Sequence, residues 1–198
     1  MLKGTIVMIA SMLLAMTASA NKLTIGGVAY GGNGCPSGTA SATVSPDGQA
    51  VSVLFDQFIA EAGGSTGKSL DRKSCNLTVP ILVPGGYSVA IFTVDYRGFN
   101  QVPSGGFNRF ESEYFWAGAR GPKISRQFNG PVSDSFTLTD NLLATTVVWA
   151  PCGQSVNLRV NAAMMAKTNR TFAQTLGMVD SADIASAVVY RFQFRRCR

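Results

Sequence analysis

Hydrophobic and polar residues alternate with a period of two along most of this chain. The clearest instance is residues 39–44 (TASATV), followed by the turn tetrapeptide SPDG and then by residues 50–55 (AVSVLF). A period of two is typical of strands with one buried face, and a Pro-Asp-Gly run favours a turn. The pattern therefore predicts a β-hairpin.

Further segments have the same β-rich, alternating composition and are bounded by clusters of Gly, Pro, Asn and Asp. They are residues 76–83, 87–96, 109–117, 123–128, 133–138, 144–150, 155–163 and 186–196. Roughly ten short strands separated by turn signals indicate an all-β fold. A weak helical pattern covers residues 171–185, where Gly177 interrupts it. We predict a single-domain β-sandwich (jelly-roll-like) that is stapled by two disulfides.

For two of these segments the sequence allows more detailed predictions. Strict alternation over residues 87–96 predicts one face with Tyr87, Val89, Ile91, Thr93 and Asp95 and another with Ala90, Phe92, Val94 and Tyr96. Pro80 lies inside the segment 76–83 and cannot donate a ladder hydrogen bond, so it predicts an edge strand or a bulge.

The first twenty residues have the three parts of a secretory signal peptide. Lys3 lies in a short n-region, an apolar run covers residues 5–16, and the small residues Ala18-Ser19-Ala20 follow. This order predicts cleavage after Ala20, and the apolar run is too short to span a bilayer. We therefore expect residues 1–20 to be the signal peptide and residues 21–198 to be the secreted domain, with no membrane span in the mature chain.

The composition excludes several kinds of chemistry. The chain has no His, which is the most common metal ligand and general base. Its formal net charge of +6 favours contact with anionic surfaces without identifying a partner. No residue pattern indicates a catalytic, cofactor-binding or metal site.

Four cysteines remain: Cys35, Cys75, Cys152 and Cys197. An even number in an exported chain indicates two disulfides, for which three connectivities exist. The spacings contain no C-x-x-C pair, which disfavours a zinc site. We favour Cys35–Cys75 and Cys152–Cys197, because each bridge then ties one half of the chain.

Residues 62–69 read AGGSTGKS, which matches the loose form of a phosphate-binding loop. Such a loop needs a helix that begins at the Lys-Ser, so that backbone N–H groups face the phosphates. The residues that follow lead into another strand and into Cys75. We therefore interpret the segment as a flexible connection and expect no nucleotide and no cofactor.

Two acidic residues, Glu111 and Glu113, lie two apart in the segment FESEYFW and therefore share one face of a strand. Paired carboxylates can act on glycosides, and together with Asp95 they define the alternative of a glycan-active hydrolase. The opposite face carries Phe110, Ser112, Tyr114 and Trp116, so an amphipathic strand with a wet side also explains the pattern. Two carboxyl groups about 5–10 Å apart in one groove would favour the hydrolase.

The last strand segment has aromatic and basic residues on opposite faces. Tyr190, Phe192 and Phe194 alternate with Arg191, Gln193 and Arg195. An arginine stripe, extended by Arg196 and Arg198, could bind a polyanion such as lipopolysaccharide or an acidic glycan. A terminal strand with its aromatic face in the core is the alternative, which we favour.

Carbohydrate binding and glycosylation each have a weak signal. Asn76-Leu-Thr and Asn169-Arg-Thr match the N-glycosylation pattern, which matters only in a eukaryotic host. A sugar-binding platform could be built from Tyr96, Phe99, Phe107, Tyr114 and Trp116. With 12 Phe, 5 Tyr and 2 Trp, most aromatic side chains must instead fill the core.

Several short motifs together resemble the DUF4360 family of secreted bacterial and fungal domains. They occur in the family's order across nearly the whole mature chain: GCPSG at 34–38, FDQF at 55–58, RKSC at 72–75, VPGGY at 83–87, YRG at 96–98, GP at 130–131, WAPCG at 149–153, DSAD at 180–183 and RC at 196–197. Two positions depart from the family pattern. Ser74 stands where Asn usually precedes the second Cys, and Phe194 and Arg195 stand where a Trp is usual.

The resemblance implies a compact secreted β-domain with two disulfides and attaches no reaction to it. We therefore expect a non-catalytic binding or surface-interaction domain, with a carbohydrate or an anionic cell-surface ligand as its partner. The alternatives are a glycan-active hydrolase and a polyanion binder that uses the C-terminal arginines.

Overall fold

The computed structural model describes residues 22–142, 147–179 and 188–197. The predicted signal peptide and its cleavage site lie outside this part. Thirteen strands cover the described chain. They are β1 (Thr24–Ile25), β2 (Ala29–Gly31), β3 (Ala40–Val44), β4 (Ala50–Phe55), β5 (Ile59–Ala62), β6 (Leu70–Leu82), β7 (Tyr87–Val102), β8 (Phe107–Trp116), β9 (Lys123–Asn129), β10 (Val132–Asn141), β11 (Val156–Lys167), β12 (Thr175–Met178) and β13 (Val188–Arg196).

The strands form two antiparallel sheets. The first sheet has the order β1-β6-β11-β8-β9, with β2 also paired to β6. The second has the order β3-β4-β13-β7-β12-β5, with β10 also paired to β7. The predicted all-β sandwich is confirmed. Among the described residues, no helix has the length and apolarity that a membrane crossing requires.

Aromatic side chains fill the space between the two sheets. Tyr114 of the first sheet meets Tyr190 of the second edge to face, with ring centroids 5.9 Å apart. Tyr96 and Phe110 make a similar contact at 5.1 Å. Each ring is at most 1% exposed, so these pairs add directional contacts to the burial of apolar area. The aromatic face predicted for the last strand is therefore the core face.

The predicted hairpin is confirmed as β3 and β4, with Val44 opposite Val51. Ser45 stabilises its turn, because the Ser45 hydroxyl accepts a hydrogen bond from the Ala50 N–H at 2.9 Å. Gly48 has φ 68, a conformation that side chains disfavour.

The strict alternation predicted for residues 87–96 is wrong beyond Ile91. The pairing of β13 with β7 shifts between Arg191, which lies opposite Thr93, and Phe192, which lies opposite Ile91. Phe92 is therefore the extra residue of a β-bulge. As a result Ile91 and Val94 both face the core.

Two other predictions need correction. Part of the proposed helix at 171–185 is strand β12, and residues 180–185 lie outside the described chain. Within the proposed strand 144–150, residues 144–146 are outside the described chain, and Trp149 makes an isolated bridge to Ala90.

Pro80 does not lie on an edge strand, because β6 pairs with β11 on one side and with β1 and β2 on the other. The Pro80 carbonyl accepts a hydrogen bond from the Gly26 N–H at 2.9 Å. The N and C=O of one residue point to the same side in an antiparallel ladder. The position without an N–H therefore faces the gap between the short strands β1 and β2. No ladder hydrogen bond is lost there, so proline destabilises the sheet least at this position.

The disulfides join Cys35 to Cys75 and Cys152 to Cys197, which is the pairing that the sequence favoured. Cys35 and Cys75 are fully buried at 0% exposure. Cys152 is exposed and Cys197 half-buried. The two bridges therefore stand in different surroundings, one in the core and one at the surface.

Candidate functional site

The outward face of the first sheet carries the polar side chains that the sequence placed on a wet surface. In β8 every second residue is buried, including Phe110, Ser112 and Tyr114, while Glu111 and Glu113 point outward and are half-buried. The faces predicted for this strand are therefore observed.

The register of the first sheet aligns these carboxylates with residues from distant parts of the chain. Asn161 of β11 lies opposite both Asn76 and Glu113. Two residues further along β11, Ala163 lies opposite both Ser74 and Glu111. On the far side of β8, Glu113 lies opposite Lys123 of β9.

A concavity of about 340 Å³ opens above this part of the sheet. Its floor is low because Ala163 has a short side chain, of which 6% is exposed, between longer neighbours. We call this concavity the outer groove. Besides the buried Ser112, the polar residues that line it are Arg72, Ser74, Asn76, Glu111, Glu113, Lys123 and Asn161.

The two carboxylates of the outer groove rise from the same strand. A rise of 3.2–3.4 Å per residue separates their Cα atoms by about 7 Å. The Asn161 amide donates to Glu113 Oε2 at 3.4 Å. Within the described residues neither glutamate has an ion-pair partner within 4.0 Å. The groove therefore offers two carboxylates to a ligand.

Asp95, the third candidate carboxylate, belongs to the other side of the molecule. It lies on β7 of the second sheet, where Asp95 Oδ2 is 3.1 Å from Arg191 Nη2. Its other oxygen accepts a hydrogen bond from the Thr139 hydroxyl at 2.8 Å. Because the sheets of a sandwich are about 10 Å apart, Asp95 cannot act together with the carboxylates of the outer groove.

The C-terminal arginines do not form a free cationic stripe. Arg191 is paired with Asp95, and Arg195 stacks on Trp149 with its guanidinium carbon 4.2 Å from the ring centroid. Arg196 Nε donates to the Tyr87 hydroxyl at 3.3 Å. Arg195 and Arg196 border an open depression beside the Cys152–Cys197 bridge. Arg198 lies outside the described residues.

The AGGSTGKS segment uses its backbone donors within the protein. The Gly63 N–H donates to the Lys68 carbonyl and the Gly64 N–H to the Phe172 carbonyl, both at 2.7 Å. Lys68 Nζ lies 3.1 Å from Asp71 Oδ1. The segment itself contains a single 3-10 turn at Gly64–Thr66, and strand β6 follows at Leu70, so in the described chain no α-helix begins at Lys68-Ser69. The geometry is that of a connection rather than of a phosphate cradle.

Three tyrosines form a buried cluster, and burial raises the pKa of Tyr96, Tyr114 and Tyr190. The Tyr114 hydroxyl donates to Asp140 Oδ2 at 2.8 Å. These phenols are neutral groups of the core, so Tyr96 and Tyr114 cannot belong to a sugar-binding platform. Trp116 is also buried, at 5% exposure, whereas Phe99 and Phe107 are half-buried.

The two glycosylation motifs have different surroundings. Asn76 is exposed and lines the outer groove. The Asn169 side chain instead organises its own loop, since Asn169 Oδ1 accepts hydrogen bonds from the N–H groups of Thr171 and Ala173, both at 3.1 Å. Among the described residues no group of three or more His, Cys, Asp or Glu side chains could hold a metal ion.

Sequence reasoning identified the glutamates of the outer groove and missed most of its other residues. Alternation in residues 156–161 and 72–77 already places Asn161, Ser74 and Asn76 on a polar face. No signal in the sequence shows that these strands are neighbours of β8. The small residue Ala163 gives no polar signal at all.

Comparisons with known proteins agree with a secreted domain. The family model described as "Domain of unknown function (DUF4360)" matches residues 21–197. An "Uncharacterized secreted protein" of Arthroderma benhamiae is 31% identical over 178 residues, which cover 89% of this chain and 73% of that protein. A solved structure of TmCBM61 in complex with β-1,4-galactotriose is similar over 86% of this chain and 88% of its own, at 12% identity and a TM-score of 0.30. The secreted relative and the two disulfides place this chain outside the cytoplasm.

Proposed function

This chain belongs to the DUF4360 family, and from that premise we propose that it is a secreted, non-catalytic binding domain whose ligand is a carbohydrate. The binding surface is the outer groove. The proposal includes removal of residues 1–20, which N-terminal sequencing of the exported protein tests. A first residue other than Asn21 would contradict the cleavage site.

The observation that carries the proposal is the mixed polar lining of the outer groove. Asn76, Asn161 and Ser74 offer amide and hydroxyl groups, which can both donate and accept hydrogen bonds. Glu111 and Glu113 accept hydrogen bonds. A ligand with many hydroxyl groups complements such a set, because each hydroxyl is itself both donor and acceptor.

A glycan and cell-wall array with residues 21–198 tests the proposal. The diagnostic variant is Ala163→Leu, which fills the floor of the groove from the solvent side and leaves the core unchanged. Thr137→Leu on β10 is the matched control, because Thr137 is exposed on the second sheet. We expect Ala163→Leu to lose binding and Thr137→Leu to retain it. Equal binding by wild type and Ala163→Leu would exclude the groove.

A second candidate function is hydrolysis of a glycan, favoured by the presence of Glu111 and Glu113 in one groove. The two side chains stand in similar half-buried surroundings. Hydrolases instead separate the roles of acid and nucleophile by different surroundings, which is why we favour binding. Release of reducing sugar by the wild type, abolished in both Glu111→Gln and Glu113→Gln, would establish the hydrolase.

A further inference from the structure

We infer that the ligand of the outer groove is an acidic polysaccharide, an inference that rests on the proposed carbohydrate-binding function. The observation behind it is an excess of cations on the outward face of the first sheet. The strands β6, β8, β9 and β11 place five basic residues there, namely Arg72, Arg109, Lys123, Arg159 and Lys167. The acidic residues on the outward positions of these four strands are Glu111 and Glu113.

These cations surround the carboxylates in a regular arrangement. Met165 of β11 lies opposite Arg72 and Arg109, one step along the strands from Ala163. Lys123 lies opposite Glu113 on the other side of the groove floor. A ligand that lies over Ala163 can therefore reach positive charges on both sides.

The described residues do not hold any of the five cations in an ion pair. In the described part of the chain none of them has a carboxylate within 4.0 Å. Arg109 Nη2 donates to the neutral Gln127 side chain at 3.0 Å. Arg109 and Lys167 also lie over the Phe107 ring, 5.5 and 5.6 Å from its centroid. These contacts position the side chains and leave their charges available to a ligand.

On the second sheet Arg191, one of the C-terminal arginines, is already paired with Asp95, with Arg191 Nη2 3.1 Å from Asp95 Oδ2. The polyanion surface that the sequence allowed as an alternative at the C-terminal arginines is therefore better placed on the outward face of the first sheet.

The carboxylates at the centre of the cationic face favour a polysaccharide over a nucleic acid. Ionised Glu111 and Glu113 can only accept hydrogen bonds, so they need a ligand that brings hydroxyl donors. They also repel a continuous line of phosphates. A sugar chain with spaced carboxylates or sulfates supplies both hydroxyl groups for the glutamates and negative charges for the flanking Arg72 and Lys123.

The test compares acidic polysaccharides with uncharged ones. The probes are polygalacturonate, its methyl-esterified form, alginate, a sulfated glycosaminoglycan, a panel of neutral polysaccharides and single-stranded DNA. The proteins are residues 21–198, the variant Arg72→Gln/Lys123→Gln and the control Arg97→Gln. Arg97 is a half-buried cation of β7 on the second sheet, so the control removes a charge from the opposite face.

We expect at least one acidic polymer to bind and its affinity to fall steeply between about 0.05 and 0.5 M salt, because the Debye length shortens over this range. Loss of two charge contacts of ordinary strength predicts roughly tenfold weaker binding by the double variant. The control should bind like the wild type.

Three outcomes would overturn the inference. Salt-independent binding of neutral polymers alone would leave the proposed function standing and remove the acidic ligand. DNA binding that is weakened by the double variant and exceeds that of every acidic polymer would identify a nucleic-acid surface. Absence of binding to every polysaccharide would overturn the proposed function as well.

Discussion

Replacing Cys35 and Cys75 together by alanine removes the disulfide that ties the segment after β2 to the middle of β6. The closest internal comparison is the double replacement of Cys152 and Cys197. The two bridges span sequence separations of 40 and 45 residues. The loss of conformational entropy in the unfolded chain on loop closure therefore predicts nearly the same stabilisation, about 4 kcal/mol, for each of them.

Burial distinguishes the two bridges. Cys35 and Cys75 are both 0% exposed, so alanine at these positions leaves the space of two sulfur atoms empty in the core. Cavities of this size cost about 1–2 kcal/mol beyond the loop effect. Cys152 is exposed, and solvent can replace its sulfur. We therefore expect Cys35→Ala/Cys75→Ala to be the less stable variant by about 1–2 kcal/mol.

Equilibrium unfolding in urea measures this difference, with the slope of each transition compared to establish that the same surface unfolds. Non-reducing peptide mapping of the wild type establishes the pairing itself. If the Cys152→Ala/Cys197→Ala variant proved as unstable as the Cys35→Ala/Cys75→Ala variant, or less stable, burial would not determine how much each bridge stabilises the fold. A cross-linked peptide that joins Cys35 to Cys152 or Cys197 would refute the pairing.

Three further predictions follow from the core and from the second sheet. Asn108→Ala removes a buried amide that donates to Asn100 Oδ1 at 2.8 Å and to the Leu176 carbonyl at 2.7 Å. It should lower the free energy of unfolding by about 2 kcal/mol in urea, because both acceptors lose a donor, and an unchanged midpoint would contradict this. The buried tyrosines should resist ionisation in an alkaline ultraviolet titration, because burial raises their pKa. A raised pKa means that the folded state holds the proton more tightly, so their contribution to stability is complete below about pH 10 and declines above it. Ionisation of every tyrosine by about pH 11 without unfolding would count against it, because tyrosines of ordinary pKa are about nine-tenths ionised there. Asp95→Asn should cost less than about 1 kcal/mol, since its ion pair with Arg191 is at the surface, and it should leave glycan binding unchanged; a binding defect would show that the second sheet takes part.

The sequence predicted those features that depend on neighbours along the chain. The β3–β4 hairpin follows from its turn residues, and the alternation of β8 correctly separates Glu111 and Glu113 from the buried Phe110 and Ser112. Features that depend on pairing between distant strands were not predictable. The bulge at Phe92 exists only in the register of β7 with β13.

Strand β12 is a second case in which contacts with distant strands decide the structure, here against the local sequence pattern. Residues 171–185 have a weak helical pattern, but Gly177 pairs with Ala60 on one side and with Asn100 on the other. A Cβ atom at Gly177 would lie 2.8 Å from Asn108 Nδ2. Glycine is therefore needed for close contact with the first sheet, and this tertiary contact overrides the local pattern.

The outer groove contains residues of both kinds, those that the local sequence pattern identifies and those that only the pairing of distant strands brings together. Glu111 and Glu113 were visible as an outward pair, while Ser74 and Ala163 come from segments that only the register of the first sheet brings beside them. The concavity itself depends on the small side chain of Ala163 between longer neighbours. A pattern of polar residues indicates a wet face, but it does not show where that face is hollow.

Mapping of backbone amide chemical shifts tests the central proposal most directly. Residues 21–198, labelled with nitrogen-15, are titrated with the polysaccharide that binds best in the array. The largest shifts should fall on β6, β8 and β11 around Ser74, Glu111 and Ala163. Shifts that instead cluster on the second sheet, or beside Arg195 and the Cys152–Cys197 bridge, would show that the ligand binds elsewhere and that the outer groove is only a solvated face.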